Sequence, residues 1–366
     1  MNCCDSYNKI VRLNDMEIAY SVPKSELHLH LDGSLDTGFI AACAADRGIE
    51  LPVESADIRQ YLHDLKSKRA HIDSKVSSSS NWSNFDFCNQ FLQTSDELRG
   101  ATFSLCETLI ADNVVLAEIR FCPELHTNEN LTANDAVDAV VSGFCEAEQT
   151  LNMRGGVIVC ALRSYPVEHT IEMVELASAW LGQGVIGFDI AGDEGAFALD
   201  IHESGIKEAL RRNVPMTLHA GEWPEDTVKN IKLAVDLGVD RIGHGVTLCQ
   251  DPKLMNLVAD EGITVECCLT SNVGWKVPSY AVHPIRNMFE AGVKVCINSD
   301  NLLLSGSFDR AAYSTGEVQR LVDDVGFTWE QARQVLLNGV MASFSPGVDE
   351  DWISQYKQRL DAVLSK

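Results

Sequence analysis

The chain has 366 residues, of which 45% are hydrophobic, and its formal net charge of −24 at pH 7 makes phosphate backbones, and therefore nucleic acids, unexpected partners. No apolar run reaches the roughly 18 residues of a membrane-spanning helix. Because the N-terminal stretch MNCCDSYNKIVRLND also lacks the apolar centre of a secretory signal, the sequence predicts a cytoplasmic protein with no membrane partner.

Short apolar runs recur along the chain and alternate with amphipathic stretches such as Thr227–Leu237 and Asp251–Glu261. The predicted strands are Glu26–Leu31, Val114–Phe121, Gly156–Leu162, Val185–Ile190, Pro215–His219, Arg241–Val246, Thr264–Leu269 and Lys294–Ile297. Fully apolar strands that alternate with helices indicate a parallel sheet covered on both faces. Eight such units favour an α/β fold of the closed (β/α)8 TIM barrel type over an open sheet.

The glycine-rich motifs that bind dinucleotides or nucleotide phosphates do not follow the predicted strands. No GxGxxG follows the first strand and no GxxxxGK[ST] occurs, so dinucleotide and P-loop sites lack their usual support. We therefore interpret residues 1–366 as one barrel domain with a short N-terminal extension, 1–22, to which the sequence assigns no role.

A long insertion, from about Asp36 to Asn113, separates the first two strands and is expected to contain extra helices. Its serine run, Ser77–Ser80, is typical of a flexible surface loop. Phe87 and Phe91 lie four residues apart and therefore share one face of a helix. Two interpretations stay open for this pair: a cover over the barrel mouth, or packing of the insertion against the barrel.

Twelve cysteines are scattered along the chain, mostly within apolar segments such as Val157–Cys160. No CxxC pair occurs, which disfavours zinc–cysteine sites and thioredoxin-like redox motifs. The cysteines are therefore predicted to be buried free thiols in a reducing compartment.

Polar residues cluster where predicted strands end, the face of a TIM barrel that carries the active site. The candidates are His28 and His30 on the first strand, Gly192 after the fourth, His219 and Glu222 at the fifth, His244 at the sixth and Asp300 after the eighth. The other six histidines are interpreted as structural: His63, His71, His126, His169, His202 and His283.

The clustered histidines predict a metal site. His28 and His30 project to the same side of their strand because they are two residues apart. Three neutral imidazoles and one carboxylate suit Zn²⁺ that retains a bound water, so we expect His28, His30, His219 and Asp300 to hold one Zn²⁺ per chain. Zinc lowers the pKa of such a water from about 15.7 toward 7 and makes it a nucleophile.

Further groups are placed to use that water. Glu222 follows His219 after a glycine turn and is predicted to act as the general acid and base. His244 is predicted to orient the nucleophile, and Asp300 to accept a proton as well as bind the metal.

The motifs PKSELHLHLDGS, FDIAGDEG, LHAGE, RIGHG and NSD, with ECCLTSN, resemble those of the adenosine deaminase family in their order, over roughly Pro23 to Phe344. The resemblance implies a zinc hydrolase that deaminates adenosine and 2′-deoxyadenosine at C6 to inosine or 2′-deoxyinosine and ammonia, in purine metabolism and salvage. It implies the same metal ligands, with Glu222 protonating purine N1 and His244 positioning the hydroxide.

The resemblance also implies a set of contacts to a small-molecule purine nucleoside. The Gly192 amide is expected at N3 and Asp32 near the ribose 5′-hydroxyl, with His30 beside the substrate. Phe87 and Phe91 resemble aromatic residues of the family's lid helix.

One residue departs from the family pattern. Many members have a second aspartate after the eighth strand, which contacts N7, whereas this chain has Asn301. Because N7 accepts hydrogen bonds, a carboxyl must be protonated to contact it, while an asparagine amide donates directly. Asn301 is therefore compatible with purine binding and leaves the base preference open.

Three alternatives remain. A binuclear amidohydrolase would place a carboxylated lysine at the end of the fourth strand, where this chain reads FDIAG. A deaminase of another 6-aminopurine, such as adenine or a modified adenine nucleoside or nucleotide, would keep the chemistry; the absence of a basic cluster near the motifs and the charge of Asp32 disfavour a phosphorylated substrate. An inactive member would serve as a binding protein. The sequence does not predict the oligomeric state.

Overall fold

The structure, a computed structural model, describes residues 14–70, 83–274, 276–307, 310–311 and 313–365. Its eight barrel strands are β1 Lys24–His30, β2 Val114–Phe121, β3 Arg154–Leu162, β4 Val185–Ala191, β5 Thr217–Ala220, β6 Arg241–His244, β7 Thr264–Cys267 and β8 Lys294–Ile297. All eight predicted strands are confirmed. β6 and β7 end two residues before their predicted ends, because a 3₁₀ segment, Val246–Gln250, follows β6 and a short helix follows β7.

Parallel pairing closes these strands into a barrel. β1–β4 form one run and β5–β8 another. One seam joins β4 to β5, where the Phe188 amide donates to the Pro215 carbonyl at 2.9 Å. At the other, the Asp300 amide donates to the carbonyl of His28 at 3.0 Å, and the His30 amide donates to the carbonyl of Asp300 at 2.9 Å. The closed parallel α/β barrel is thus confirmed, and its second seam brings Asp300 beside β1.

Helices cover the outside of the barrel. They are α1 Asp15–Ser21, α2 Thr37–Arg47, α3 Ile58–Ala70, α4 Ser83–Asn89, α5 Ser95–Ala111, α6 Ala133–Leu151, α7 Val167–Trp180, α8 Glu203–Arg211, α9 Val228–Leu237, α10 Pro252–Asp260, α11 Leu269–Asn272, α12 Ile285–Glu290, α13 Ser314–Asp323, α14 Trp329–Met341 and α15 Glu350–Leu364. A two-stranded hairpin follows β8, with β9 Gly306–Ser307 and β10 Arg310–Ala311. The two amphipathic stretches named above correspond to α9 and α10. Within the described ranges, no helix is both long enough and apolar enough to cross a bilayer.

The core divides into an apolar shell and a charged interior. Leu27, Leu29 and Leu31 are fully buried, and they alternate along β1 with the two histidines. Charged side chains from several strands are also fully or almost fully buried: Glu26, Glu118, Arg120, Asp189, Arg241 and Glu266. The ten cysteines that the structure describes are all unpaired, as the sequence predicts.

The insertion between β1 and β2 contains α2 to α5, which confirms its extra helices. Phe91 is fully buried, and Phe87 packs against it and against Tyr61 with ring centroids 5.6 and 6.0 Å apart. Phe91 belongs to the hydrophobic core and the partly buried Phe87 packs against that core, so the pair packs the insertion against the barrel. Ser77–Ser80 and His71 lie outside the described residues.

Candidate active site

A cavity of about 460 Å³ opens at the carboxyl ends of the barrel strands, a size typical of small-molecule sites. Its lining includes these residues predicted from the sequence: His30, Asp32, Gly192, His219, Glu222, His244, Asp300 and Asn301. His28 is fully buried next to His30 and His219 at its floor. Phe87 and Phe91 are not among the described lining residues, and their lid contact stays a prediction; from α4 the lining includes Asn84, Phe85, Asp86 and Asn89.

Three imidazole nitrogens converge at the floor of the cavity. The Nε2 atom of His219 lies 3.1 Å from Nε2 of His28 and 3.2 Å from Nε2 of His30. On the opposite side of the rings, Nδ1 of His28 lies 2.7 Å from Glu266 Oε2, and Nδ1 of His219 lies 2.8 Å from Asp189 Oδ2. Because an ionised carboxylate only accepts hydrogen bonds, both Nδ1 atoms carry the proton and both Nε2 atoms present lone pairs. Lone pairs this close repel unless a cation lies between them.

The donor set fits a metal ion. Burial is the main cause that lowers the pKa of His28 and of His30 well below its usual value, and the proximity of Arg120 to His28 and of the His219 ring to His30 adds to it. Both histidines are therefore neutral, the form that binds metals. Asp300 Oδ1 lies 3.7 and 3.5 Å from Nε2 of His28 and His30. A tetrahedral zinc with Zn–N bonds of about 2.0–2.1 Å separates its nitrogen ligands by about 3.3 Å, close to the observed spacing.

A buried ion network holds the histidines in place. Arg120, on β2, donates to Asp189 at 2.6 Å and to Glu266 at 2.9 Å, the carboxylates that face His219 and His28. Burial acts to raise the pKa of Asp189, but its interactions with His219 and Arg120 outweigh it and hold that pKa well below its usual range. Carboxylates behind ligand histidines fix ring orientation and raise ligand basicity, so one arginine braces two predicted metal ligands.

Glu222 reaches the cavity from a loop that Glu194 organises. The carboxylate of Glu194 accepts hydrogen bonds from the amides of Gly221 and Glu222, both at 2.7 Å, and from Trp223 at 3.2 Å. The side chain of Glu222 accepts a hydrogen bond from Lys276. Burial acts to raise the pKa of Glu222, yet His244 and Lys276 outweigh it and lower that pKa, so the group is ionised in this state.

His244 and Asp300 both adopt left-handed backbone, with φ of +65° and +63°. This region is costly for residues other than glycine and is found where a site requires it. The hydrogen bond from Ser271 Oγ to Asp300 Oδ2, at 2.5 Å, holds one of these side chains. Gly243 precedes His244 at a close approach, because a Cβ there would lie 2.9 Å from His28 Cε1.

Further acidic side chains line the cavity. Burial raises the pKa of Asp32 to about 7, and Asp86 and Asp193 also line the wall. Among the described lining residues, Lys276 is the only lysine or arginine, and it is paired with Glu222. No sequence pattern indicated a role for Lys276 or for Glu194, although Glu194 lies within the FDIAGDEG motif.

Asn301 lies against Gly33. A Cβ on Gly33 would lie 1.6 Å from Asn301 Oδ1, so only glycine leaves room for this side chain. Nδ2 of Asn301 makes a long contact of 3.5 Å with Ser305 Oγ. The amide therefore borders the cavity without a strong hydrogen bond to Ser305.

Comparisons with known proteins point to one family. The family described as Adenosine deaminase matches residues 23–355. An adenosine deaminase of Clostridium kluyveri is 31% identical over 360 residues, covering 97% of this chain and 96% of the relative. An adenosine deaminase of Clostridium acetobutylicum is 33% identical over 337 residues, covering 91% and 96%.

Solved structures share the fold. An adenine deaminase from Arthrobacter aurescens has a TM-score of 0.78 at 24% identity, covering 94% of this chain and 100% of that one. An amidohydrolase from Burkholderia ambifaria with bound Zn has a TM-score of 0.77 at 22% identity, covering 98% of each. The N6-methyl-AMP deaminase of Arabidopsis thaliana has a TM-score of 0.76 at 20% identity, covering 95% and 98%.

Proposed function

The chain belongs to the adenosine deaminase family of hydrolases, and from this premise we propose that it deaminates adenosine and 2′-deoxyadenosine at C6, in cytoplasmic purine salvage. The products are inosine or 2′-deoxyinosine and ammonia. The observation that carries the proposal is the convergence of three histidines, Asp300 and Glu222 at one cavity.

The cofactor is proposed to be one Zn²⁺ held by His28, His30, His219 and Asp300. Support comes from the facing Nε2 lone pairs, the buried carboxylates behind two of the rings, and the zinc in the Burkholderia ambifaria neighbour. When bound, zinc supplies an acidified water near neutral pH.

The side chains of this protein move the protons. Water adds across the C6–N1 bond, so N1 must gain one proton while the attacking oxygen loses one. Glu222 is ionised without substrate, so it first takes up a proton from solvent and is then placed to hand it to N1. This interrupts the aromatic ring as oxygen attacks C6, and the oxygen on C6 returns a proton to Glu222 when the carbonyl forms. Asp300 is placed to take a proton from the attacking oxygen and pass it to the amine, which leaves as ammonia. His244 is placed to orient the oxygen by hydrogen bonding.

The charge of the cavity supports free nucleosides over nucleotides. Asp86 and Asp193 repel a phosphate, as does Asp32 in its ionised form. Lys276, the one lysine among the described lining residues, is neutralised by Glu222. Gly192 and Asn301 are proposed to contact N3 and N7, and Asp32 the ribose 5′-hydroxyl. The proposed substrate therefore differs from the one named for the Arabidopsis thaliana neighbour.

The test is the ultraviolet absorbance of adenosine during incubation with purified, zinc-loaded protein, beside a chelator-treated control. We expect a metal-dependent fall near the adenine maximum, with stoichiometric ammonia release. Parallel reactions with 2′-deoxyadenosine, adenine, AMP and N6-methyl-AMP identify the substrate. Turnover of adenine or a nucleotide in place of adenosine would overturn the substrate assignment.

Metal analysis separates the remaining alternatives. One zinc per chain is expected. Two metal ions per chain would indicate a binuclear amidohydrolase, and a protein that binds zinc without turning over any 6-aminopurine would be an inactive family member.

A further inference from the structure

We infer that Asn272 and His283 are positioning residues that hold His244 in the tautomer protonated on Nε2. His283 was interpreted above as structural, and Asn272 lies in a motif for which the sequence suggested no role. The hydrogen bonds that carry the inference stand on their own, whereas its consequence for catalysis rests on the function proposed above.

The assignment begins at a donor whose proton position is fixed. The backbone amide of Ile285 donates to His283 Nδ1 at 3.2 Å. Nδ1 of His283 is therefore the acceptor, and a neutral imidazole must then carry its proton on Nε2. His283 is 2% exposed, and this burial lowers its pKa to about 3, so the ring is neutral at physiological pH.

The proton on His283 orients the next group. His283 Nε2 lies 3.3 Å from Asn272 Oδ1, and with Nε2 protonated this contact is a hydrogen bond to the carbonyl oxygen. The carboxamide of Asn272 is thereby fixed with its NH₂ group on the other side. The reverse orientation of this carboxamide would require His283 to lack both ring protons.

The amide of Asn272 then fixes His244. Nδ2 of Asn272 lies 3.1 Å from His244 Nδ1 and donates to it, so the proton of neutral His244 is on Nε2. That nitrogen faces the cavity, 3.5 Å from Glu222 Oε1. Asn272 is fully buried, so water does not compete for these hydrogen bonds.

This tautomer decides what His244 does. Its Nε2–H donates a hydrogen bond toward a nucleophilic oxygen, and its Nδ1 lone pair is occupied by Asn272. His244 therefore acts as a neutral donor and does not remove a proton at Nε2. The same residue in the other tautomer would present a lone pair where negative charge develops, which opposes the reaction.

The direct test is the pattern of ¹⁵N signals from His244 in zinc-loaded, substrate-free protein labelled at histidine. We expect the Nε2-protonated pattern in the wild type. In Asn272→Asp, an isosteric change, both carboxylate oxygens accept hydrogen bonds, so the His244 signals are expected to invert to the Nδ1-protonated pattern. An Nδ1-protonated His244 in the wild type, or an unchanged pattern in Asn272→Asp, would overturn the inference.

Kinetics provide the second readout. For Asn272→Asp we expect kcat to fall by about 10²–10³-fold, the effect of losing one donor to developing charge, with KM within about threefold of the wild type. His283→Phe keeps Asn272 but removes the hydrogen bond that fixes the orientation of its carboxamide. We therefore expect a mixture of the two His244 tautomers and a smaller fall in kcat. His283→Gln, which retains a donor, should recover part of the rate.

His126→Phe is the matched control, because His126 is equally buried and stacks on Phe121 with ring centroids 5.8 Å apart. It should leave both kcat and the His244 signals unchanged. Equal losses in His283→Phe and His126→Phe would show a general packing effect and overturn the positioning role. If the wild type turns over no 6-aminopurine, the proposed function fails, while the tautomer measured without substrate still tests the hydrogen-bond relay.

Discussion

The two halves of the barrel are built differently. The strands β1 to β4 have seven, eight, nine and seven residues, whereas β5 to β8 have four residues each. Apart from the two histidines of β1, the proposed catalytic and metal-binding side chains come from the second half: His219, Glu222, His244 and Asp300. The first half supplies Arg120 and Asp189; Arg120 donates a hydrogen bond to Asp189, and Asp189 in turn contacts the ring of His219.

The difference shows how a regular barrel accommodates an irregular site. Long strands give continuous hydrogen bonding and a rigid frame. In the short strands the regular hydrogen bonding ends after four residues. His244 and Asp300, at or beyond these ends, can therefore adopt left-handed backbone and point their side chains into the cavity. Substitutions in the second half should therefore change activity more than stability, and substitutions in the first half should do the reverse.

The largest effect on activity is expected from Glu222→Gln, which keeps size and removes the proton-transfer group. Adenosine turnover should fall by about 10²–10⁴-fold, the usual contribution of a general acid. Zinc content and the thermal unfolding midpoint should stay near those of the wild type. A near-normal kcat would show that the acid/base assignment is wrong, and lost zinc would show that Glu222 supports the metal site.

The converse is expected from Arg120→Met in the first half. This change leaves Asp189 and Glu266 buried without their shared cation, a loss of about 3–5 kcal/mol in the free energy of unfolding. Urea unfolding measures it. The matched control is Arg333→Met, whose partner Asp361 is exposed, and this variant should lose less than about 1 kcal/mol. Equal losses in the two variants would contradict a bracing role for Arg120.

A pH-dependent effect is expected at the start of the first half. Burial lowers the pKa of Lys24 to about 8, from 10.5, despite the raising effect of Asp112. Between these values the unfolded chain binds more protons than the folded chain, so this residue makes stability rise with pH. Relative to Lys24→Met, the wild type should gain about 2 kcal/mol between pH 7 and pH 10. Parallel stability curves for the two proteins in urea unfolding would contradict this shift.

The smallest effect is expected from Asn301→Ala in the second half. Loss of one hydrogen bond to purine N7 corresponds to about 1.4 kcal/mol, or a tenfold fall in kcat/KM for adenosine, with stability unchanged. Steady-state kinetics measure it. An unchanged kcat/KM would remove Asn301 from the substrate site.

Local sequence was sufficient for much of the fold. Predominantly apolar runs of four to eight residues located every barrel strand, because a strand buried on both faces is mostly apolar along its length. The strand ends then identified the residues that line the cavity, since a barrel gathers the carboxyl ends of its strands on one face. For β6 and β7 the predicted strand extends two residues beyond the observed one, because the short elements that follow are also apolar.

Contacts between distant residues were decided only by the tertiary structure. Glu266 behind His28, Lys276 on Glu222 and Asn272 between His244 and His283 join residues whose sequence spacing carries no periodic signal. The sequence also left two alternatives for Phe87 and Phe91; in the structure Phe91 lies in the core and Phe87 packs against it. The sequence by itself thus determined which residues lie at the strand ends and can line the site. The tautomers, ion pairs and orientations of these residues depend on hydrogen bonds between buried polar groups, and those groups meet only when the barrel closes.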